Sequence, residues 1–222
     1  MPCLAKKYEA ARPEFAPDGI RDVDSVLTTT EFLEMIKMLR LEPQDVTPGA
    51  FDAPYSRVSG AGVLFGASGG VAEASLRMAV EKLTGEPLVD QLDFHDVRGF
   101  DGFKEATVTA GDATVRVAVV SGLNNIEPLV KRIVAGEDVG YDLVEVMACP
   151  GGCINGAGHP VPDKVGEMAA RQKVLVNIDR TSRFRKSQEN PDVLRLYDEF
   201  YGEPNSETAH HLLHTSYAPF RD

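Results

Sequence analysis

Two stretches in the middle of the chain alternate between apolar and polar residues, as half-buried strands do. They cover residues 104–110 and 113–120, and Gly111 and Asp112 stand between them. A glycine and an aspartate at this point are typical of the two-residue turn that joins antiparallel strands. The pattern therefore predicts a β-hairpin.

A helix and a further strand are predicted after the hairpin. Apolar residues recur at helical spacing over residues 123–133, and residues 141–147 form a run typical of a strand. That run leads directly towards Cys149. Ligands of open α/β sheets bind outside the carboxyl ends of strands, so we expect a binding site where this strand ends.

The N-terminal region has the pattern of a strand followed at once by a helix. Apolar residues alternate over residues 22–27, which predicts a short strand. Thr28 and Glu31 then have the spacing of a capping box, and Pro43 forbids continuation of the helix that they begin.

The remaining helices follow a glycine-rich run and fill the tail. Residues 59–70 are glycine-rich and lead into a predicted helix over residues 71–83, which ends at Gly85. One tail helix begins at Pro191, and a last one carries His210–His214. We predict an α/β fold in which a twisted mixed sheet is flanked by helices, with a helical C-terminal extension.

Composition and charge exclude several classes of function. The chain has 222 residues, 43% of them hydrophobic, and a net charge of -11, which disfavours binding to a phosphate backbone. The basic cluster over residues 180–186 is interpreted as a solvated surface. No stretch approaches the roughly 20 apolar residues of a membrane helix, and the N-terminus lacks an apolar signal-peptide core. We expect a cytoplasmic protein with no membrane span and no nucleic-acid partner.

The three cysteines suggest metal chemistry. An odd number without an export signal argues against disulfides, and Cys149 and Cys153 stand four residues apart in a glycine-rich loop, while Cys3 lies at the start of the chain. Thiolates select zinc or iron–sulfur clusters. Two alternatives remain open from the residues alone. They are a tight turn with two buried cysteines, and a zinc site that recruits His159 or a C-terminal histidine.

Several motifs together resemble the iron-only, or [FeFe], hydrogenases. They are Met1–Arg12, Phe65–Ala74, Val97–Gly99, Met147–Cys153, Arg185–Pro191, Leu196–Tyr197 and Leu213–Tyr217. The resemblance covers nearly the whole chain and implies one part of a bilobal catalytic domain. Residues 1–165 would belong to the C-terminal, H-cluster domain of the large subunit, without its N-terminal part, and residues 166–222 to a small-subunit-like helical tail.

The resemblance implies a specific cofactor, the H-cluster. In that family a [4Fe-4S] cubane is joined through a cysteine sulfur to a two-iron subsite with CO, cyanide and dithiolate ligands. Cys3 and Cys149 would ligate the cubane, and Cys153 would bridge it to the two-iron subsite. Lys6 would face a cyanide ligand, and we therefore expect the stem of its side chain to be buried.

Further residues would line the same pocket according to the resemblance. Met147 and Phe65 join Lys6 as the expected catalytic residues. The remaining cofactor-binding residues would be Met1, Pro2, Gly66 and Ala67.

The resemblance implies the reversible oxidation of H2 to protons and electrons, but one family motif has no counterpart. That first cysteine motif supplies the fourth cubane ligand, so we expect the chain to be inactive alone. Its expected partners are the missing N-terminal half of the catalytic domain, a ferredoxin-like electron carrier and hydrogenase maturation proteins. Two alternatives are an iron–sulfur assembly protein without hydrogenase turnover and a sensory hydrogenase.

Overall fold

The computed structural model describes residues 3–161 and 166–218, which form two compact units. The terminal unit contains the described residues of segments 1–57, 157–160 and 191–222. The sheet unit contains those of segments 58–156 and 161–190. Each unit is therefore assembled from segments that are not contiguous in the chain.

The regular elements follow in chain order. The helices are α1 (Leu4–Ala10), α2 (Thr29–Met38), α3 (Gly60–Leu64), α4 (Gly70–Thr84), α5 (Leu123–Val134), α6 (Glu167–Thr181), α7 (Pro191–Leu196) and α8 (Glu207–Leu213). The strands are β1 (Phe103–Ala110), β2 (Ala113–Ser121) and β3 (Leu143–Met147). A single π-helical turn, Tyr197–Tyr201, continues α7.

The sheet is mixed and has the order β1-β2-β3. The predicted hairpin is confirmed, since β1 and β2 are antiparallel and Gly111 turns between them with a φ of 61°. Strand β3 then pairs in parallel with β2, after the crossover helix α5. The α/β fold class and the strand before the cysteine loop are thus confirmed.

The core lies between the sheet and α4. Ala72 and Leu76 of α4 pack against Val117 and Val119 of β2, and all four are almost completely buried. Burial of apolar surface contributes about 25 cal/mol per Å², so this layer stabilises the sheet unit. It also holds the N-terminus of α4 beside the end of β3, where the cysteine loop begins.

Two local predictions near the N-terminus had different outcomes. The capping box is confirmed. The Thr28 hydroxyl accepts a hydrogen bond from the Glu31 amide, and the Glu31 carboxylate accepts one from the Thr28 amide. The strand predicted over residues 22–27 is wrong, because that segment is irregular. Strand formation requires a hydrogen-bonding neighbour, and in the described part of the chain the sheet consists of β1, β2 and β3 only.

Helix α6 lies within the helical tail expected over residues 166–222, but the sequence pattern did not give its bounds. Few of its apolar residues form a continuous stripe along one side of the helix, so the helical spacing of apolar residues is weak in the sequence. Tertiary contacts with α3 and a buried aspartate, Asp179, hold it in place instead. None of the described helices combines the length and the hydropathy that a membrane crossing requires.

Candidate metal centre

The cysteine loop begins directly after β3 in the sheet unit and turns back on itself. The Gly152 amide donates to the Cys149 carbonyl oxygen, and the Gly156 amide donates to the Cys153 carbonyl oxygen, both at 3.0 Å. Gly151 and Gly152 have φ values of 79° and 94°, a region that side chains with a Cβ rarely adopt. The two glycines therefore allow a tight loop between the thiols.

A second loop, residues 65–69, docks on the cysteine loop through backbone hydrogen bonds. The Ser68 amide donates to the Gly151 carbonyl oxygen at 3.1 Å, and the Ile154 amide donates to the Gly66 carbonyl oxygen at 2.8 Å. A Cβ on Gly152 would lie 2.5 Å from the Ser68 nitrogen. This close approach requires glycine at position 152.

The donors at this position suit a thiolate-bound metal group. Cys149 and Cys153 are half-buried free thiols, and they flank a loop whose backbone can approach a bulky inorganic group closely. Soft thiolates select zinc or iron–sulfur clusters rather than hard cations. The donor chemistry therefore fits the predicted iron–sulfur group.

The other predicted residues of the sheet unit lie on the same two loops or just before them. Met147 is the last residue of β3 and is half-buried. Phe65 is 43% exposed, whereas Gly66 and Ala67 are buried. The structure thus brings Gly66 and Ala67 to the cysteine loop and leaves the Phe65 ring partly open to solvent.

The terminal unit carries Cys3 and Lys6 on one short helix. Cys3 is the N-cap of α1 and is half-buried, and its carbonyl oxygen accepts the Lys6 amide at 3.0 Å. The expectation that the Lys6 stem is buried is wrong, since its side chain is 56% exposed and pairs with Glu9. The hydrogen bond with Glu9 raises the pKa of Lys6. Met1 and Pro2 lie outside the described residues.

Two buried charges under the docked loops were not identified from the sequence. The Glu145 carboxylate of β3 accepts hydrogen bonds from the Gly69 amide at 2.6 Å and from the Ala72 amide at 2.8 Å. It thereby caps the N-terminus of α4. Lys104 of β1 donates to the Gly99 carbonyl oxygen at 2.8 Å and to the Ser68 hydroxyl at 3.4 Å. The sequence did carry one indication that both residues are buried. Because side chains alternate between the two faces of a strand, each of them falls on the same strand face as buried apolar residues.

A cluster of carboxylates elsewhere in the sheet unit is occupied by arginines. Glu73, Asp93 and Asp179 bring oxygens within 4.8 Å of one another, a spacing that could hold a metal ion. Arg77, however, donates to both Glu73 and Asp179 at 2.7 Å. Arg98 and Arg185 bind the same carboxylates. Arg180 also pairs with Asp93, so four guanidinium groups face the three carboxylates. The cluster is therefore an ion-pair network rather than a cation site.

The network also corrects the interpretation of the basic cluster over residues 180–186. Arg185 is only 20% exposed and joins the buried network, and Lys186 is 7% exposed and pairs with Glu81. Burial lowers the pKa of Lys186, but the hydrogen bonds that it donates to its carboxylate partners outweigh that effect and raise the pKa. Part of the cluster is thus a buried structural element and not a solvated surface.

Comparison with known proteins identifies relatives of both parts of the chain. The family model described as "Iron only hydrogenase large subunit, C-terminal domain" matches residues 1–157, and that described as "Iron hydrogenase small subunit" matches residues 163–219. A "NADP-reducing hydrogenase subunit HndD" of Solidesulfovibrio fructosivorans is 47% identical over 98% of this chain and 37% of its own length. "Protein NAR1" of Arabidopsis thaliana is 35% identical over 99% of this chain and 49% of its own length.

A solved structure agrees with these relationships. [FeFe]-hydrogenase HydA1 from Chlamydomonas reinhardtii superimposes with a TM-score of 0.75 at 39% identity, over 98% of this chain and 61% of that chain. This chain therefore spans about two fifths to one half of the length of the curated relatives described above.

Proposed function

The chain belongs to the iron-only hydrogenase family, and from that membership we propose that it is the H-cluster-binding portion of an [FeFe] hydrogenase. The reaction would be the reversible oxidation of H2 to two protons and two electrons. One observation carries the proposal: two half-buried free thiols flank a glycine loop that backbone hydrogen bonds hold against the loop of residues 65–69.

The residues for the cofactor are proposed from the family resemblance. Cys3 and Cys149 would ligate a [4Fe-4S] cubane, and Cys153 would bridge it to a two-iron subsite with CO, cyanide and dithiolate ligands. When bound, that group supplies the redox chemistry of H2. Gly66, Ala67, Met1 and Pro2 would line the group.

Three side chains would act on the environment of the reaction. Met147 and Phe65 would exclude water, since a thioether and an aromatic ring offer apolar, polarisable surface. Lys6 would pair with an anionic cyanide ligand. Its ammonium remains protonated at neutral pH, because pairing with Glu9 already raises its pKa.

We propose three kinds of partner. The first is the remainder of the catalytic domain, since the hydrogenase relatives are longer than this chain. The others are a ferredoxin-like electron carrier and hydrogenase maturation proteins. The large-subunit part would be residues 1–165. The small-subunit-like part would be residues 166–222.

A second candidate function is iron–sulfur cluster assembly without hydrogenase turnover. It is favoured by the similarity to a "Cytosolic Fe-S cluster assembly factor narfl" of Danio rerio, which is 33% identical over 98% of this chain. The higher identity to HndD and the close packing of Gly152 on Ser68 support the hydrogenase.

Infrared spectroscopy distinguishes the two functions. The full chain would be produced together with hydrogenase maturation factors, with and without an added N-terminal half from a hydrogenase relative. The hydrogenase predicts bands of metal-bound CO and cyanide in a region where protein does not absorb. An iron–sulfur protein without those bands in either preparation would support the assembly function and contradict the proposal.

A further inference from the structure

Lys104 is a buried cation in the sheet unit. Lys104 is 8% exposed. In the sheet register it lies opposite Val119 of β2, which in turn lies opposite Glu145 of β3. The three residues form one row across the sheet, on the face that packs against α4. Desolvation lowers the pKa of Lys104, and the charges of Glu145 and Asp101 oppose that effect.

The Lys104 charge has no direct carboxylate partner among the described residues. Glu145 directs one carboxylate oxygen at the Gly69 amide and the other at the Ala72 amide, so both oxygens serve the N-terminus of α4. The ammonium instead donates to neutral oxygens, the Gly99 carbonyl and the Ser68 hydroxyl. A buried ammonium without direct ionic pairing is costly, which indicates that something else compensates for it.

The contact with Ser68 connects Lys104 to the cysteine loop. The backbone amide of the same serine donates a hydrogen bond to the carbonyl oxygen of Gly151, which stands between the two cysteines in the sequence. Two hydrogen bonds through Ser68 therefore connect the Lys104 ammonium to the cysteine loop. An anionic group held by Cys149 and Cys153 would supply the missing negative charge.

We propose that Lys104 is a positioning residue, whose buried positive charge behind the cysteine loop favours the reduced state of the iron–sulfur cluster held there. This inference rests on the proposed function. A thiolate-ligated cluster becomes more negative when it gains one electron, and a positive charge in a medium of low dielectric constant stabilises that state. Removing the charge lowers the reduction potential, because the oxidised state then loses less stabilisation than the reduced one.

The test is a redox titration of the full chain combined with an added N-terminal half from a hydrogenase relative, with the cluster reconstituted from iron and sulfide. Dithionite supplies the electron that converts [4Fe-4S]²⁺ to [4Fe-4S]⁺, and electron paramagnetic resonance measures the reduced fraction. Lys104→Gln removes the charge and keeps a hydrogen-bond donor for Ser68 and Gly99. Lys104→Met removes both, and Lys82→Met, which replaces an exposed lysine of α4, is the matched control.

The expected result is the same for both neutral variants. At the wild-type midpoint, the ratio of reduced to oxidised cluster falls about tenfold, equivalent to 59 mV for one electron. The control keeps the wild-type ratio. If Lys104→Gln retains both its cluster and the wild-type potential, the inference is wrong while the proposed function stands. Failure of this wild-type preparation, with the N-terminal half present, to bind iron and sulfide would overturn the proposed function, and this inference with it.

Discussion

The amide of Ser68 donates a hydrogen bond to the carbonyl oxygen of Gly151, 83 residues further along the chain. This bond joins the loop that opens α4 to the loop that follows β3. Both loops depend on the core between α4 and the sheet, because that core sets where each of them begins. The two loops of the candidate metal centre are therefore held by the buried layer between α4 and the sheet.

Gly152→Ala is expected to destabilise the docking of the two loops. Alanine disfavours a φ of 94°, and its Cβ would lie 2.5 Å from the Ser68 nitrogen. We expect the free energy of unfolding to fall by about 1–3 kcal/mol, measured by urea denaturation. Gly49→Ala is the control, since nothing lies within 4 Å of its added Cβ. Equal midpoints for the two variants would contradict the packing described for Gly152.

Ser121→Ala is expected to stabilise the protein. The Ser121 hydroxyl is buried at the end of β2 and has no hydrogen-bond partner among the described residues. Its removal relieves a desolvation penalty, so the free energy of unfolding should rise by about 1 kcal/mol. Ser59→Ala should have the opposite sign, because the Ser59 hydroxyl caps α3 by accepting the Gly62 amide. A loss of stability in Ser121→Ala would reveal a partner for its hydroxyl.

Asp179→Asn is expected to cause a large loss of stability. Asp179 is completely buried and accepts hydrogen bonds from Arg77 and Arg185, so the neutral amide removes one of the two carboxylates that each arginine binds. The free energy of unfolding should fall by about 3–5 kcal/mol in urea denaturation. Glu127→Gln, which breaks an exposed ion pair with Lys131, should change it by less than about 1 kcal/mol. Similar effects of the two changes would argue against the network.

Acid should weaken the same network. Burial by itself raises the pKa of Asp179 and of Asp93, but hydrogen bonds from arginines outweigh that effect and lower both from the ordinary value of 3.8. A carboxyl whose pKa is lower in the folded state stabilises the fold above its unfolded pKa, and this contribution is lost as the pH falls. Stability should thus decline below about pH 4. The urea midpoint of Asp179→Asn should decline less between pH 5 and pH 3, and parallel curves would contradict this assignment.

Lys6→Ala tests the role proposed for Lys6. If Lys6 binds an anionic ligand of the two-iron subsite, the variant should lose CO more than it loses cubane iron. Partners outside the ligand shell of a metal typically contribute about 10- to 100-fold in affinity. Lys7→Ala is the matched control, because the neighbouring Lys7 pairs with Glu31 instead. Infrared bands and iron content measure the two losses, and equal losses in Lys6→Ala would indicate a merely structural lysine.

Local patterns were sufficient for much of the fold. The hairpin, the strand that leads to Cys149 and the capping box of Thr28 depend on residues that are close in the chain. The thiol pair and its glycines are likewise a local motif, and its chemistry follows from the residue types and their spacing. These features are predictable because alternation, helical spacing and turn residues act over a few positions.

Tertiary structure alone decided the features that depend on distant neighbours. Residues 22–27 alternate like a strand, yet alternation does not provide the neighbouring strand that hydrogen bonding requires. Lys186 belongs to a basic run, but Glu81, 105 residues earlier, provides the carboxylate that permits its burial. Lys104 and Glu145 share a buried row only because β1 and β3 flank β2 in one register. Sequence patterns record what each residue prefers, whereas burial of a charge depends on which partners the fold brings to it.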